Sequence, residues 1–415
     1  MRSPIEDYLQ EVLAGTEDGG EVASYIPELA QADPERLAAA LCTADGTVYA
    51  AGDTAARFSI QSMSKPFAYA LALEEHGIDR VLQKVGVEPS GDSFNSASLD
   101  PSDQRPDNPM INIGAIATHA LILPEGSRDE RDERVRLGLS AFAGRELAVE
   151  EAVYASEIET AFRNLSLAYL VRSADGFGQD PHEIVEGYTR QCALSVDVRD
   201  LAVMAMTLAA GGVNPVTTKR VVSAEVAQQV LSVMTMCGMY DAAGDWMTHV
   251  GIPAKSGVSG GVIGGLPGQV GLSVFSPRLD RVGHSVRGVQ VFERFSREMG
   301  MHLLTSPPLS VDAVRSITRT ETDRGQQRSF ALQGPLRFSS AEQVLRQFER
   351  VTPGDFPVAL DLSRVTSFDP VARRMVLEGL RRLREDGHPI LLADPKGVLP
   401  EPDLGDGSLP ERLDA

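Results

Sequence analysis

The stretch Phe58-Ser59-Ile60-Gln61-Ser62-Met63-Ser64-Lys65-Pro66-Phe67-Ala68-Tyr69-Ala70-Leu71-Ala72-Leu73 runs a short apolar strand into an amphipathic helix. Ser62 and Lys65 form an S-x-x-K pair at the junction. A three-residue spacing on a helix puts both side chains on one face, within reach of each other. The start of a helix also offers free N–H groups and the positive end of its dipole to negative charge developing nearby. Pro66 fits the first turn, where a missing N–H does least harm. The layout is that of an acyl-transfer serine enzyme with lysine as base.

Serine is a common helix cap and lysine a common surface residue, so S-x-x-K alone decides little. Lysine usage sharpens it. Of 39 basic residues only Lys65, Lys84, Lys219, Lys255 and Lys396 are lysine. In a chain that prefers arginine for plain positive charge, a lysine at position 65 suggests a job arginine cannot do, such as giving up a proton, because guanidinium stays charged while a desolvated ammonium can deprotonate. Lys255-Ser256-Gly257 is a K-[ST]-G triplet before a glycine-rich run. In S-x-x-K enzymes such a triplet lies on a strand beside the nucleophile and supplies charge and a backbone oxyanion donor.

The 415 residues suffice for two or three domains. Mean hydropathy of −0.11 is that of a soluble globular protein. A net charge of −19 disfavours nucleic acid and anionic membrane as partners. No apolar stretch reaches the ~20 residues that span a bilayer, and Met1-Arg2-Ser3-Pro4-Ile5-Glu6-Asp7 turns acidic where a signal peptide would be apolar. A cytoplasmic location is expected, which argues against a cell-wall transpeptidase or a secreted β-lactamase. Cys42, Cys192 and Cys237 are widely spaced and read as reduced, mostly packed thiols. The histidines show no paired spacing, so a metal site has little support.

Along the chain, 5–32 is helix-like. Leu37 to Cys42 and Thr47 to Ala51 flank Ala44-Asp45-Gly46, a hairpin signal. A third strand, Arg57 to Ile60, leads to Ser62. The region 101–235 is helical, clearest at Asn112 to Leu123, Val149 to Arg172 and Val198 to Ala210. Glu157 and Asn164, seven apart, would share one helical face, suited to a solvated stripe or to holding a small zwitterion. Strands are expected at Trp246 to Val250, Pro253 to Lys255, Gly261 to Leu266 and Gln269 to Phe275. A sheet begun before the helices and completed after them would bring Ser62 and Lys255 together. Composition shifts at 305–328. Beyond it strands at Phe330 to Leu332, Val358 to Leu362 and Ile390 to Ala393 alternate with helices at Ala341 to Arg350 and Val371 to Glu385, a separate module. Val398 to Ala415 reads as a loose acidic tail.

The segments Ser24-Tyr25-Ile26-Pro27-Glu28-Leu29, Gln61-Ser62-Met63-Ser64-Lys65-Pro66, Pro109-Met110-Ile111-Asn112-Ile113-Gly114-Ala115, Ser156-Glu157 with Arg163-Asn164, Met239-Tyr240-Asp241 and Pro253-Ala254-Lys255-Ser256-Gly257-Val258-Ser259-Gly260-Gly261 resemble the serine-dependent glutaminases over residues 5 to 305. The second module is similar to a STAS domain, the fold of anti-sigma-factor antagonists, through Phe330 to Leu336 and Ala359 to Asp369. The fold class implied is α/β: a β-lactamase/transpeptidase-like domain, with a discontinuous antiparallel sheet plus a helical region, then a small STAS-like α/β domain. The expected limits are 1–310, a linker at 311–328, and 329–415 with the acidic tail.

The resemblance implies hydrolysis of L-glutamine to L-glutamate and ammonia. Ser62 would be the nucleophile, Lys65 its base and Tyr240 the group assisting proton transfer to ammonia. The N–H groups of Ser62 and Val258 would form the oxyanion hole. Tyr25, Gln61, Ser62, Asn112, Glu157, Asn164, Tyr188, Tyr240 and Val258 would line the substrate pocket, with Lys255, Ser256 and Gly257 in support and Glu157 facing the α-ammonium. No metal or cofactor is implied. Dimers or tetramers are common in the family, and the STAS-like module would be a docking, oligomerisation or ligand-sensing unit for a protein partner. Pro370 stands where signalling STAS domains carry a phosphorylatable Ser or Thr. Two other readings compete: a different serine amidohydrolase or β-lactam-reactive enzyme on this scaffold, and a non-catalytic STAS-type regulatory scaffold.

Overall fold

Asp45-Gly46 makes the expected turn. Gly46 sits at φ 85°, and the Asp45 carboxylate takes the Thr43 hydroxyl at 2.5 Å and the Thr47 N–H at 3.1 Å. The turn joins β1 (Ala38–Thr43) to β2 (Val48–Gly52) in a computed structural model that describes residues 5–90, 95–305, 313–322, 325–336, 338–405 and 407–413. The chain divides into two units, Met1–Thr305 and Ser306–Ala415.

In the first unit β5 (Ala254–Ser256), β6 (Gly261–Leu266) and β7 (Val270–Phe275) complete the sheet that β1 and β2 begin, in the order β2-β1-β7-β6-β5. All pairings are antiparallel, with Ala38 opposite Phe275 and Lys255 opposite Ile263. The discontinuous α/β plan is therefore present. The expected third strand, β3 (Phe58–Ser59), stays out of this sheet and pairs with β4 (Ser195–Val196). It is two residues long because the Ile60 N–H goes to Leu194 O and the chain then coils into the 3-10 turn Gln61–Ser64.

Helices follow as α1 (Ile5–Ala14), α2 (Lys65–His76), α3 (Asn112–Leu121), α4 (Arg128–Ala143), α5 (Glu151–Glu159), α6 (Phe162–Ser173), α7 (Pro181–Cys192), α8 (Val198–Ala209), α9 (Ala224–Cys237), α10 (Ala243–His249) and α11 (Val286–Met299). Every residue of α8 but Arg199 is buried, and its backbone touches the sheet at Gly271, where a Cβ would lie 2.2 Å from Ala202 O. Only glycine fits there.

Two helix-region expectations need correction. Val149 to Arg172 is not one helix, because the Thr160 hydroxyl bonds back to Ser156 O and Glu157 O at 3.3 Å each and α5 ends there. Glu157 and Asn164 thus sit on different helices. Trp246 to His249 is helical, with Val250 as its cap, not a strand. Trp246 Nε1 donates to Ile252 O at 2.7 Å while its ring packs on Phe292, anchoring one face of a short helix.

The second unit has its own core, with Phe330, Leu360, Val376 and Leu392 among the buried residues. Its sheet runs β8-β9-β10-β11-β12, from β8 (Val314–Thr322), β9 (Gly325–Leu336), β10 (Val358–Phe368), β11 (Ile390–Ala393) and β12 (Glu411–Arg412). Only β8 and β9 pair antiparallel. Helices α12 (Phe338–Phe348) and α13 (Pro370–Glu385) cover it. The segment 311–328, expected as a linker, carries β8 and the start of β9. Its residues 311–312 and 323–324 lie outside the described residues, as do 306–310 and 1–4. The expected loose tail contributes β12 as well. Leu399 and Leu404 are buried, and the Asp394 carboxylate takes the N–H groups of Val398 and Leu399, fixing the backbone despite its acidic composition.

Candidate active site

The site begins at a strained turn. Gln61 adopts φ 50°, unusual for a side-chain-bearing residue. Its amide is held by Ser59 Oγ and Glu157 Oε1, both at 3.1 Å. Ser62 follows, half-buried, and α2 starts at Lys65 with Pro66 in its first turn.

Lys65 is 1% exposed. Its Nζ donates to Asn112 Oδ1 at 2.7 Å and Met110 O at 3.2 Å. Both acceptors are neutral, and burial pulls the ammonium down to about 7. Asn112 opens α3 and donates in turn to Asn164 Oδ1 at 3.3 Å. Lys255 is fully buried on β5. It donates to Ser256 O at 2.9 Å and stands 3.7 Å from the Tyr240 ring centroid. Burial, with the charge of Lys65 added, holds it well below its ordinary range. No Lys–carboxylate pair forms among the described residues at either lysine.

Tyr240 takes φ 51° in the 3-10 turn after α9. Burial pushes its phenol up to about 12, an effect the hydroxyls of Ser62 and Ser256 oppose. Lys65 Nζ is 5.9 Å from the ring centroid and the His284 ring stacks at 6.0 Å. The ring of Tyr240 therefore stands near both lysines while its hydroxyl reaches Ser62.

On the other side of Ser62 lies a cavity of about 430 Å³ lined by Tyr25, Gln61, Asn112, Glu157, Asn164, Tyr188 and Val258. Glu157 Oε1 accepts from Tyr25 at 2.9 Å besides Gln61, and burial raises its pKa. Its charge has no cation against it among the described residues. The Val258 N–H, in the turn after β5, has no acceptor among those residues either. Tyr240 does not line this cavity. It borders a second one of about 370 Å³ with Asn108 and Ile111, and meets the first through Ser62. Ser256 and Gly257 lie behind the serine, Gly257 against Met63 and Ile60 O.

Sequence reasoning passed over several lining residues: Asn95, Thr160, Ala161, Arg163, Thr189 and Cys192. Arg163 donates from Nε and Nη2 to Asn95 O at 2.9 and 2.7 Å, securing the rim. Its only signal was adjacency to Asn164. The Cys192 thiol is pushed up to about 11 by burial and stays protonated, as do Cys42 and Cys237.

A serine at a helix start, a buried lysine one turn on, a second buried lysine on the facing strand and a sheet interrupted by a helical region make an arrangement like that of the serine acyl-transfer hydrolases of β-lactamase-like fold. The glutaminase pattern matches residues 20–304 and that of a Mlab-type STAS domain residues 320–401. A glutaminase of Corynebacterium efficiens is 50% identical over 420 aligned residues, covering 100% of this chain and 98% of its own. A glutaminase of Trichormus variabilis is 49% identical over 284 residues, 68% of this chain and 85% of its own. The solved structure of Mglu in its glutamate form superposes with a TM-score of 0.88 at 44% identity, over 96% of this chain and 100% of that one. The chain belongs to the glutaminase family.

Proposed function

We propose that this protein hydrolyses L-glutamine to L-glutamate and ammonia through a Ser62 acyl-enzyme. The observation that carries the reading is a neutral-prone, fully buried Lys65 in the same turn as a serine that opens onto a cavity holding an uncompensated carboxylate, Glu157.

Lys65 takes the Ser62 proton as Oγ attacks the side-chain amide carbon of glutamine. The oxyanion is met by the N–H groups of Ser62 and Val258. Tyr240 passes a proton to the departing nitrogen and is reprotonated through the lysines, so ammonia leaves and the acyl-serine ester remains. Water then attacks the ester, Lys65 receives its proton and hands it to the departing Ser62 Oγ, and glutamate is released. Glu157 pairs with the α-ammonium. The amides of Asn112 and Asn164 and the phenols of Tyr25 and Tyr188 hold the rest of the amino acid. Lys255 keeps Tyr240 in place and its proton mobile.

The catalytic work belongs to the first unit, which ends at Thr305, with the second unit a STAS-like docking module for a protein partner or a second copy. Pro370 after Asp369 removes the hydroxyl a phosphoswitch needs. The free, buried cysteines fit a reducing cytoplasm, and a homo-oligomer is the assembly expected of a glutaminase.

The test is ammonia release from L-glutamine by the purified chain, by Ser62→Ala, and by the intact chain on L-asparagine. Turnover on glutamine that vanishes in Ser62→Ala supports the reading. Turnover that survives in Ser62→Ala, or none in the intact chain, overturns it. Acylation by a β-lactam without glutamine turnover would favour the other amidohydrolase reading.

A further inference from the structure

Helix α7 is a wall between two cavities. Thr189 and Cys192 face the substrate cavity, while Gly187, Arg190 and Gln191 face another of about 310 Å³ bounded by Arg128, Asp132 and Arg136 of α4. A chain of buried side chains crosses this wall. His119 of α3 is fully buried, and its Nδ1 lies 3.0 Å from Gln191 Oε1. Gln191, 2% exposed, gives its Nε2–H to Ser64 Oγ at 3.0 Å. Ser64 sits between Ser62 and Lys65, and its hydroxyl in turn favours the Cys192 sulfur.

The direction of these bonds fixes the imidazole. With the Gln191 amide nitrogen committed to Ser64, its oxygen faces His119, so Nδ1 carries the hydrogen and Nε2 keeps a lone pair. Burial drives the imidazole down to about 4, so it is neutral at ordinary pH. Nε2 and Asp132 Oδ1 are both buried with no hydrogen-bond partner. They lie 2.4 and 2.5 Å from where a Cβ on Gly187 would stand. Burial raises Asp132 to about 6 against the pull of Arg190, Arg128 and Arg131, leaving it ionised at neutral pH. Two acceptors thus face each other across a gap that a glycine keeps open. A single water, which donates two hydrogens, would satisfy both.

We propose that His119 and Gln191 are positioning residues for the Ser62–Lys65 turn, and that a water seated over Gly187 between His119 and Asp132 completes a buried wire from the outer cavity to Ser64. The water fixes the tautomer of His119, which orients the Gln191 amide, which fixes the Ser64 hydroxyl and the pitch of the turn. Nothing in the wire touches substrate. The proposal rests on the Ser62–Lys65 reading above.

Four variants of the full chain test it: His119→Leu, His119→Asn, Gln191→Leu and Gly187→Ala, with Ser62→Ala alongside. A turn displaced by a fraction of an ångström loses kcat rather than affinity, so His119→Leu and Gln191→Leu lose about tenfold or more in kcat with KM little changed. His119→Asn, whose amide N–H replaces Nδ1–H, recovers most of that loss. Gly187→Ala removes no polar group and fills the water seat, and follows His119→Leu. Its Cβ would also press on His119 Nε2 and Asp132 Oδ1, so a fifth variant, Ser64→Ala, which deletes only the hydroxyl that Gln191 bonds and follows His119→Leu, keeps the test decisive where the others fail to fold. The wire is overturned if the folded variants keep wild-type kcat, if KM alone shifts, or if His119→Asn is no better than His119→Leu. A loss of melting temperature with unchanged kcat also overturns it. Turnover in Ser62→Ala counts against the nucleophile alone, and wild-type kcat in Gly187→Ala against the wire alone.

Discussion

Replacing Lys65 with Met separates the function of this residue from its cost. In the folded protein Lys65 holds its proton only below about 7, whereas an exposed lysine in the unfolded chain holds it to about 10.4. Below pH 7 both states carry the charge and the fold bears the whole cost of burying it. Between pH 7 and about 10.4 the unfolded chain binds the extra proton, so wild-type stability rises with pH at about 1.4 kcal/mol per pH unit, roughly 5 kcal/mol in all. The Met variant has no such term. It leaves Asn112 Oδ1 and Met110 O without their donor, a cost of about 1–3 kcal/mol each that does not vary with pH. Removing the Lys65 charge also eases Lys255 upward, which acts in the same direction. Unfolding free energies from urea titrations at pH 6, 7, 8, 9 and 10 should therefore show the variant's stability relative to wild type greatest at pH 6 and falling steadily above 7. Ammonia release by wild type should rise through the same pH 7 limb, and the variant should have none. A stability difference flat from pH 7 to 10 would refute the neutral-base reasoning.

Glu157→Gln should raise KM for glutamine with the fold intact, because an amide cannot pair with the α-ammonium. The wild-type KM should itself rise on acidification through a pH above the usual glutamate range, as the raised pKa of Glu157 requires. Tyr240→Phe keeps the ring beneath Lys255 but removes the hydroxyl, and kcat should fall about a hundredfold or more at unchanged melting temperature. Gly238→Ala would place a Cβ 1.9 Å from Ala254 O. It should destabilise by about 2 kcal/mol or more, read as a lowered denaturant midpoint, since α9 and β5 cannot both hold position. A chain ended after Thr305 should still release ammonia from glutamine, because Ser62, Lys65, Glu157, Tyr240 and Lys255 all lie in the first unit. Loss of turnover in a folded truncation would assign the second unit a direct role.

The parts of the site legible in the sequence were those written in local code. Asp45-Gly46 specifies its turn by backbone chemistry, and Lys65 and Lys255 stand out because this chain rarely uses lysine. What sequence left hidden depends on contacts made across long separations. Thr160 ends α5 through its own hydroxyl, so Glu157 and Asn164 converge from two helices where periodicity placed them on one. Trp246 is helical because Phe292, 46 positions later, receives its ring. The tail after Val398 looks disordered by composition, yet Leu399 and Leu404 find a core and Asp394 supplies the turn. The bond between Gln191 and Ser64 joins residues 127 apart, and no pattern in either neighbourhood announces it.

The electrostatics of the site explain why its lysines are buried without counter-ions. A carboxylate beside Lys65 would stabilise the ammonium and remove the base at neutral pH. Asn112 Oδ1 and Met110 O orient the same nitrogen by hydrogen bonds while contributing no net charge. Lys255 receives what support it has from the face of Tyr240 at 3.7 Å, a quadrupole weaker than any ion pair. Each lysine also disfavours a proton on the other, so the pair holds fewer protons at neutral pH than two separate surface lysines would. The carboxylate the site does possess, Glu157, is kept on the far side of Ser62, bonded to Tyr25 and Gln61 and to no cation. In the proposed reading its charge is thereby left for an amino acid's ammonium. Under the proposed reading, a proton-poor pair behind the serine and an unspent anion in front of it would select a substrate that carries both an amide to be cleaved and a free α-amino group.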